Sequence, residues 1–196
     1  MGHFRKLGPT DASAMAAHLC RLPASDRRLR FHSTVSSEWI EKRYAGLDWT
    51  RTVAVGVFDA ATLRGFVELA FDTPLPSPEA RAELAISIEP EFQRAGLGRE
   101  LAARAVTIAR NRGAQRLTML CLPENLPMRR IAKRLMGVMH QEDGTVEADL
   151  DLTAATPLSY WLEAVQDTAD AVSGGLEFWP RILRPAAPPQ PAEQGA

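Results

Sequence analysis

The chain has 196 residues, 45% of them hydrophobic, and its 23 basic residues nearly balance 24 acidic ones. That length suits one domain with an extension, and that apolar share can fill a core without disulfides, which excludes a disordered chain and a disulfide-dependent mini-protein. A net charge of -1 gives no reason to expect a nucleic-acid or membrane-surface partner.

The two cysteines, Cys20 and Cys121, are scattered. They offer no metal-ligand spacing, so no metal is expected and both thiols read as reduced. The opening run Met1-Gly2-His3-Phe4-Arg5-Lys6-Leu7 lacks a long apolar stretch. No window approaches the roughly 18 apolar residues of a membrane span. The expectation is a cytoplasmic protein.

Residues 3 to 7 can form a short strand. Pro9-Thr10-Asp11 starts a helix over 11 to 21, with Ala14, Met15, Leu19 and Leu22 at helical spacing. Pro23 breaks it, and Ser25-Asp26 caps a short helix carrying Leu29 and Phe31. Ser36-Ser37-Glu38 opens a third helix, which Gly46 ends. Thr52 to Phe58 and Leu63 to Phe71 form a hairpin. A loop with Pro74, Pro76 and Pro78 follows, then a strand over Ala82 to Ile88. Gly98 to Arg112 is a helix burying Leu101, Ala102, Ala105, Ile108 and Ala109, and Gly113 is its natural end.

Arg116 to Cys121 is the next strand, and a helix runs from Asn125 to about Leu135. His140 to Gln141 and Val146 to Leu152 close a hairpin around Asp143-Gly144. Pro157 to Val172 fits an amphipathic helix with Leu158, Trp161, Leu162, Val165 and Ala169 on one stripe, ended by Gly174-Gly175. Phe178-Trp179-Pro180 and Ile182-Leu183 form an apolar cluster. From Pro185 the composition predicts disorder.

The chemistry lies between Ile88 and Arg112. A strand ends, Glu89-Pro90-Glu91-Phe92 turns the chain, and Gln93-Arg94-Ala95-Gly96-Leu97-Gly98 opens a helix. The first turn of a helix carries unpaired N–H groups and the positive end of the dipole, which together accept a phosphate. Gly96 and Gly98 remove side chains that would block its approach. No Lys-Ser/Thr follows, so this is not a Walker loop. Three glycines and an acid on the next strand are also absent, so it is not a dinucleotide fingerprint.

Gln93-x-x-Gly96-x-Gly98 in this order of elements resembles the GNAT acetyltransferase superfamily, over residues 3 to 152. The stretch Leu22 to Phe31 resembles the opening of the acetyltransferase domain of bacterial protein lysine acetyltransferases. The resemblance implies an α/β (α+β) GNAT fold with a mixed, mostly antiparallel central sheet flanked by helices. The domain it covers is set at 1–153, and the amphipathic pattern and the composition beyond it add a C-terminal helical extension at 154–184 and a disordered tail at 185–196. The resemblance further implies acetyl-CoA as co-substrate. The pyrophosphate falls on Gln93, Arg94, Ala95, Gly96, Leu97, Gly98 and Arg99. The pantetheine arm falls on Ile86, Ser87 and Ile88, with Asn125 facing CoA and Arg129 among the cations available to the 3′-phosphate. Many members carry a tyrosine acid seven residues past the asparagine. Here that place holds Ala132.

An amine acceptor must lose a proton before it attacks, since lysine has a reference pKa of about 10.4. Glu83 is the first candidate for general base, as a glutamate serves there in the resembling lysine acetyltransferases. Glu68 is the second. The backbone N–H of Ile88 or a neighbour is the oxyanion donor the family implies. A covalent acetyl intermediate on Cys121 is a lesser alternative. His140 reads as a hairpin residue, and His18 and His32 lie outside the motifs. Arg27, Arg28 and Arg30 read equally as acceptor contacts or a solvated face. The expected activity is acetyl transfer to a primary amine, either a protein lysine or a small molecule. The alternative is a non-catalytic acyl-CoA-binding sensor or interaction protein. The apolar stripe with Trp161 suggests a homodimer through the C-terminal helix.

Overall fold

The computed structural model describes residues 3–178 except 76, 78, 79, 136, 137 and 143. Its seven strands are β1 (His3–Leu7), β2 (Thr52–Asp59), β3 (Thr62–Phe71), β4 (Arg81–Ile88), β5 (Arg116–Cys121), β6 (Val138–Glu142) and β7 (Thr145–Asp151). They form one sheet in the order β1-β2-β3-β4-β5-β7-β6, and only the β4–β5 pair is parallel. This is the mixed, mostly antiparallel sheet that the sequence implies.

The helices are α1 (Ala12–Arg21), α2 (Ala24–Phe31), α3 (Ser37–Ala45), α4 (Leu97–Asn111), α5 (Leu126–Leu135) and α6 (Pro157–Phe178). Each start has a local cause. Pro23 precedes α2, and the Ser36 hydroxyl accepts the Trp39 N–H at 3.1 Å to cap α3. Strand alternation divides the interior into two apolar clusters. Val55, Val67, Leu69 and Leu84 meet Leu101, Ala105 and Ile108 of α4 on one side of the sheet. Ala54, Phe58 and Phe66 meet Met15, Leu19, Ile40 and Tyr44 of α1 and α3 on the other.

Three boundaries differ from expectation by two residues or more. α2 begins at Ala24, directly after Pro23, so Ser25 and Asp26 lie in its first turn instead of capping it. β6 begins at Val138, two residues early, because it is an edge strand whose Val138 and Met139 stay 55% and 38% exposed and so give no clear alternation. α6 runs through Gly174-Gly175 to Phe178, since a glycine weakens a helix by only about 1 kcal/mol relative to alanine and need not end it. Pro76, Pro78, Asp143, Trp179 and everything beyond lie outside the described residues, including the expected apolar cluster at Ile182-Leu183 and the expected tail.

α6 packs against β1 and α4 by its polar side. Ser159, Glu163 and Asp170 are buried, while Leu158, Trp161, Leu162 and Val165 are exposed. The Glu163 carboxylate accepts from Lys6 Nζ at 2.6 Å, Asn111 Nδ2 at 2.6 Å and Arg112 Nη2 at 3.0 Å. Asp170 accepts from Arg104 Nη1 at 2.5 Å. Burial alone would raise the Glu163 pKa, but the hydrogen bonds from Lys6 and Asn111 and the charges of Arg112 and Lys6 outweigh it and lower it. A depressed carboxylate contributes stability above its unfolded pKa, and that contribution is lost as pH falls through the folded value.

Glu163→Gln is therefore expected to lower the melting temperature by several degrees at pH 7, about 2–4 °C for each kcal/mol lost. The gap between variant and wild type should close as pH drops below the ordinary glutamate range. A gap that stays constant to pH 3 in thermal melts would show that the carboxylate charge is not what holds α6.

Candidate acetyl-CoA site

β4 pairs with β3 along its length, from Phe71↔Ala82 to Gly65↔Ile88. Against β5 it pairs only at Arg81↔Arg116, Ala82↔Leu117 and Glu83↔Thr118. Beyond Glu83 the two strands separate. The backbone of Leu84 to Ile88 thus presents an edge that is unpaired by β5, and such groups seek a hydrogen-bonding partner.

A cavity of about 520 Å³ opens beside this edge. One wall is Ile86, Ser87 and Ile88 with Gln93, Arg94, Gly96, Gly98 and Arg99, and the other is the start of α5, with Asn125, Leu126, Pro127, Met128, Arg130 and Ile131. Leu22, Asp26, Leu29 and Arg30 cover it from α2 and its approach.

The glycine turn is built for close contact. Gly96 sits at φ +85°, in the left-handed region, and caps α4. Arg94 also has a positive φ, 63°. A Cβ at Gly98 would stand 3.2 Å from Ile131 Cδ1 and 3.4 Å from Ile88 Cδ1, so a side chain there would press on both cavity walls. Gln93 Nε2 donates to Ile88 O at 3.0 Å and to Asp26 Oδ2 at 3.1 Å, tying the turn to β4 and α2. Asn125 Oδ1 accepts the Met128 N–H at 3.2 Å and so caps α5. The first-turn N–H groups of α4, the guanidinium groups of Arg94, Arg99 and Arg130, and the free edge of β4 fit a diphosphate carrying an amide-rich arm. Among the described residues, no group of three His, Cys, Asp or Glu is placed to hold a metal.

Several residues fall elsewhere than the sequence suggests. Arg129 Nη1 donates to Pro123 O at 3.0 Å, and Arg130, its neighbour, lines the cavity instead. The helical period turns the two in different directions. Ala95 and Leu97 belong to the turn without lining the cavity, and Leu97 packs on the core. Glu83 is exposed at the point where β4 and β5 part and does not line the cavity.

Glu68, the second candidate for general base, is buried at 4% exposure. It accepts from Tyr44 Oη at 2.7 Å and Arg30 Nη2 at 2.8 Å, which leaves it a structural counter-ion. Burial alone would lower the Arg30 pKa, but Tyr44, Glu68 and Glu83 outweigh it and raise it. Burial raises the Cys121 pKa and keeps its thiol protonated, which argues against it as a nucleophile. His140 is exposed on β6. Ala132, 1% exposed, is part of the core.

One residue that sequence reasoning set aside belongs beside the cavity. His18 of α1 is fully buried, and its Nε2 lies 3.0 Å from Ser87 Oγ. Its Nδ1 lies 3.4 Å from Glu89 Oε1, and Glu89 also meets Arg21 Nε at 2.8 Å and Arg64 Nη1 at 2.9 Å. Burial pushes the imidazole down to about 4, against the pull of Glu89. No local pattern marks a histidine 69 positions before its partner. Glu89 was within reach, because it follows directly on β4, two residues after Ser87.

The family model described as acetyltransferase (GNAT) matches residues 19–138, more than half of the chain. The chain belongs to the GNAT acetyltransferase family. It is similar in fold to the GNAT domain of the Streptomyces lividans protein PAT, with a TM-score of 0.65 at 22% identity, covering 77% of this chain and 90% of that one. A GNAT-family acetyltransferase of Streptococcus pneumoniae gives 0.57 at 18% identity over 78% and 100%. The Salmonella typhimurium protein yncA, solved with its cofactor acetyl-CoA, gives 0.59 at 14% over 80% and 96%. No curated protein matches the sequence. In this GNAT protein, no helix among the described residues is long and apolar enough to cross a membrane.

Gly98→Val is expected to weaken CoA binding at least 10-fold, or about 1.4 kcal/mol, in calorimetric titration. Arg130→Ala should weaken it several-fold, and Arg129→Ala less than twofold. The reverse ranking of the two arginines would refute the assignment of Arg130 to the cavity.

Proposed function

We propose that the protein transfers an acetyl group from acetyl-CoA to a cationic primary amine, such as a lysine side chain, by direct attack on the thioester with Glu83 as general base. The position of Glu83 carries this reading. It is the last β4 residue in register with β5, it is exposed, and strand alternation puts it on the same face as Ser87, which lines the cavity. Across from it stands Thr118, whose hydroxyl donates to Asp149 Oδ1 at 2.7 Å on β7. Register partners point to one face, so Glu83 and Asp149 flank the approach with two carboxylates. An ammonium group is drawn to such a place, and a carboxylate there can take its proton directly or through a water.

The remaining steps fall to groups at the cavity. The first turn of α4 with Arg94, Arg99 and Arg130 would hold the phosphates, and Ile86, Ser87 and Ile88 would hold the arm. A backbone N–H on the free edge of β4 would meet the developing oxyanion. Ala132 supplies no phenol, so the leaving thiolate takes its proton from solvent.

Glu83→Gln should lower kcat by about 10²–10⁴-fold with little change in CoA affinity. Thiol release from acetyl-CoA with a panel of amines and lysine peptides measures it. CoA binding with no turnover on any acceptor would favour a non-catalytic acyl-CoA sensor instead.

The free thiols Cys20 and Cys121 fit a reducing, cytoplasmic setting. A homodimer through α6 follows from the helix being docked by its polar side. Leu158, Trp161, Leu162 and Val165 lie at helical spacing, 63%, 60%, 41% and 43% exposed, and a second copy of this uncharged stripe is self-complementary to it. Light scattering should give twice the chain mass for wild type and the single mass for Trp161→Glu. A monomer in both refutes the dimer.

A further inference from the structure

The Ser87 hydroxyl, the His18 imidazole and the Glu89 carboxylate form a connected set of side chains that direct acetyl transfer leaves unused, the arm needing only the Ser87 backbone. Their relative exposures are 6%, 0% and 4%. Ser87 nonetheless borders the cavity, so the set runs from the cavity wall into the protein. The serine Oγ is 3.0 Å from His18 Nε2, and His18 Nδ1 is 3.4 Å from Glu89 Oε1.

The arrangement has a direction. Burial works against ionisation of Glu89, but the hydrogen bonds from Arg21 and Arg64 prevail and lower its pKa, so it is a fixed anion at neutral pH. The imidazole is neutral there. With its single proton on Nδ1, on the side of that anion and the Leu63 backbone, the Nε2 lone pair faces the serine hydroxyl. The ring meets Phe66 in an edge-to-face contact with centroids 5.4 Å apart, which restricts its plane. Nucleophile and base thus stand within hydrogen-bond reach, and the carboxylate stands behind the ring as a counter-charge at 3.4 Å. Cohesion alone asks for less. A buried serine–histidine hydrogen bond ties α1 to β4 without any anion behind the ring, and His18 Nδ1 makes no hydrogen bond of good geometry in return.

We propose that Ser87 is an acyl-accepting nucleophile, activated by His18 and oriented through Glu89, which gives the protein a slow acyl-CoA hydrolase activity when no amine is present. Ser87 Oγ bonds to the thioester carbon as its proton passes to His18 Nε2. The carbon–sulfur bond breaks, and that proton goes to the leaving sulfur. Water then attacks the acyl-serine, gives a proton to Nε2, and the serine oxygen leaves and takes it back. Thioester and water become carboxylic acid and thiol. Glu89 stabilises the transient imidazolium, and Arg21 and Arg64 offset part of that help, which keeps the reaction slow.

The inference rests on the thioester lying along β4, so the test includes probes that need no CoA site. The full chain is treated separately with p-nitrophenyl acetate, with a small fluorophosphonate, and with acetyl-CoA without amine. Adducts are located by peptide mass mapping, and thiol release is followed in the last case. Both small probes should label the peptide carrying Ser87, and Ser87→Ala should lose the label. His18→Gln should slow labelling at least about 100-fold and Glu89→Gln about 10-fold. Thiol release should fall at least 10-fold in Ser87→Ala. His18 is fully buried and its variant can misfold, so Ser87→Ala, with its fold checked by circular dichroism, decides. Labels that avoid Ser87, or thiol release unchanged in that variant, overturn the proposal. Labelled Ser87 with no thiol release from acetyl-CoA also overturns the hydrolase, and traces the failure to the placement of the thioester rather than to the relay.

Discussion

The site depends on β4 and β5 pairing for three residues and then parting. A strand in the middle of a sheet ordinarily satisfies both of its edges. β4 satisfies one edge with β3 and leaves the other open from Leu84 onward. The open edge needs hydrogen-bonding partners, and an arm that carries amides can supply them. The chain leaving β4 turns into α4 and the chain leaving β5 turns into α5, so the starts of both helices border the same opening. The glycine turn lies at the wide end of this wedge and Glu83 at its apex.

The helices on the opposite face complete the enclosure. α2 contributes Leu29 and Arg30 to the cavity, and Arg30 is anchored by Glu68 and Tyr44. α1 reaches under β4 with His18, and Arg21 of the same helix meets Glu89. The cavity wall is therefore supported by buried charges as well as by apolar packing. Breaking one partner of such a set costs more than the set contributes intact, because the other charge is left stranded.

Local signals made much of this legible. Gln93, Gly96 and Gly98 could be read as a phosphate cradle because a helix start has the same chemistry in every protein. The core face of α4, with Leu101, Ala105 and Ile108, was readable from helical period alone. The rest depends on which distant residues meet. Glu68 alternates between Val67 and Leu69 like a surface residue, yet Tyr44 and Arg30 arrive from other helices to bury it. Arg129 and Arg130 are neighbours in the chain, and only the phase of α5 separates the one bound to Pro123 from the one at the cavity. His18 needed a partner 69 residues away. The stripe on α6 was visible, but its direction was not, since nothing in the sequence says that a helix will dock by its polar side.

That docking also fixes where α6 can sit. An apolar face against an apolar groove tolerates small slides, because one methyl group replaces another. Here Glu163 must meet Lys6, Asn111 and Arg112 while Asp170, two turns on, meets Arg104. Sliding the helix by a single turn, about 5.4 Å, would break both sets at once and bury two carboxylates without cations. The latch therefore works as a ruler. It admits one alignment of the helix on the domain, and with it one placement of the Trp161 stripe relative to the sheet.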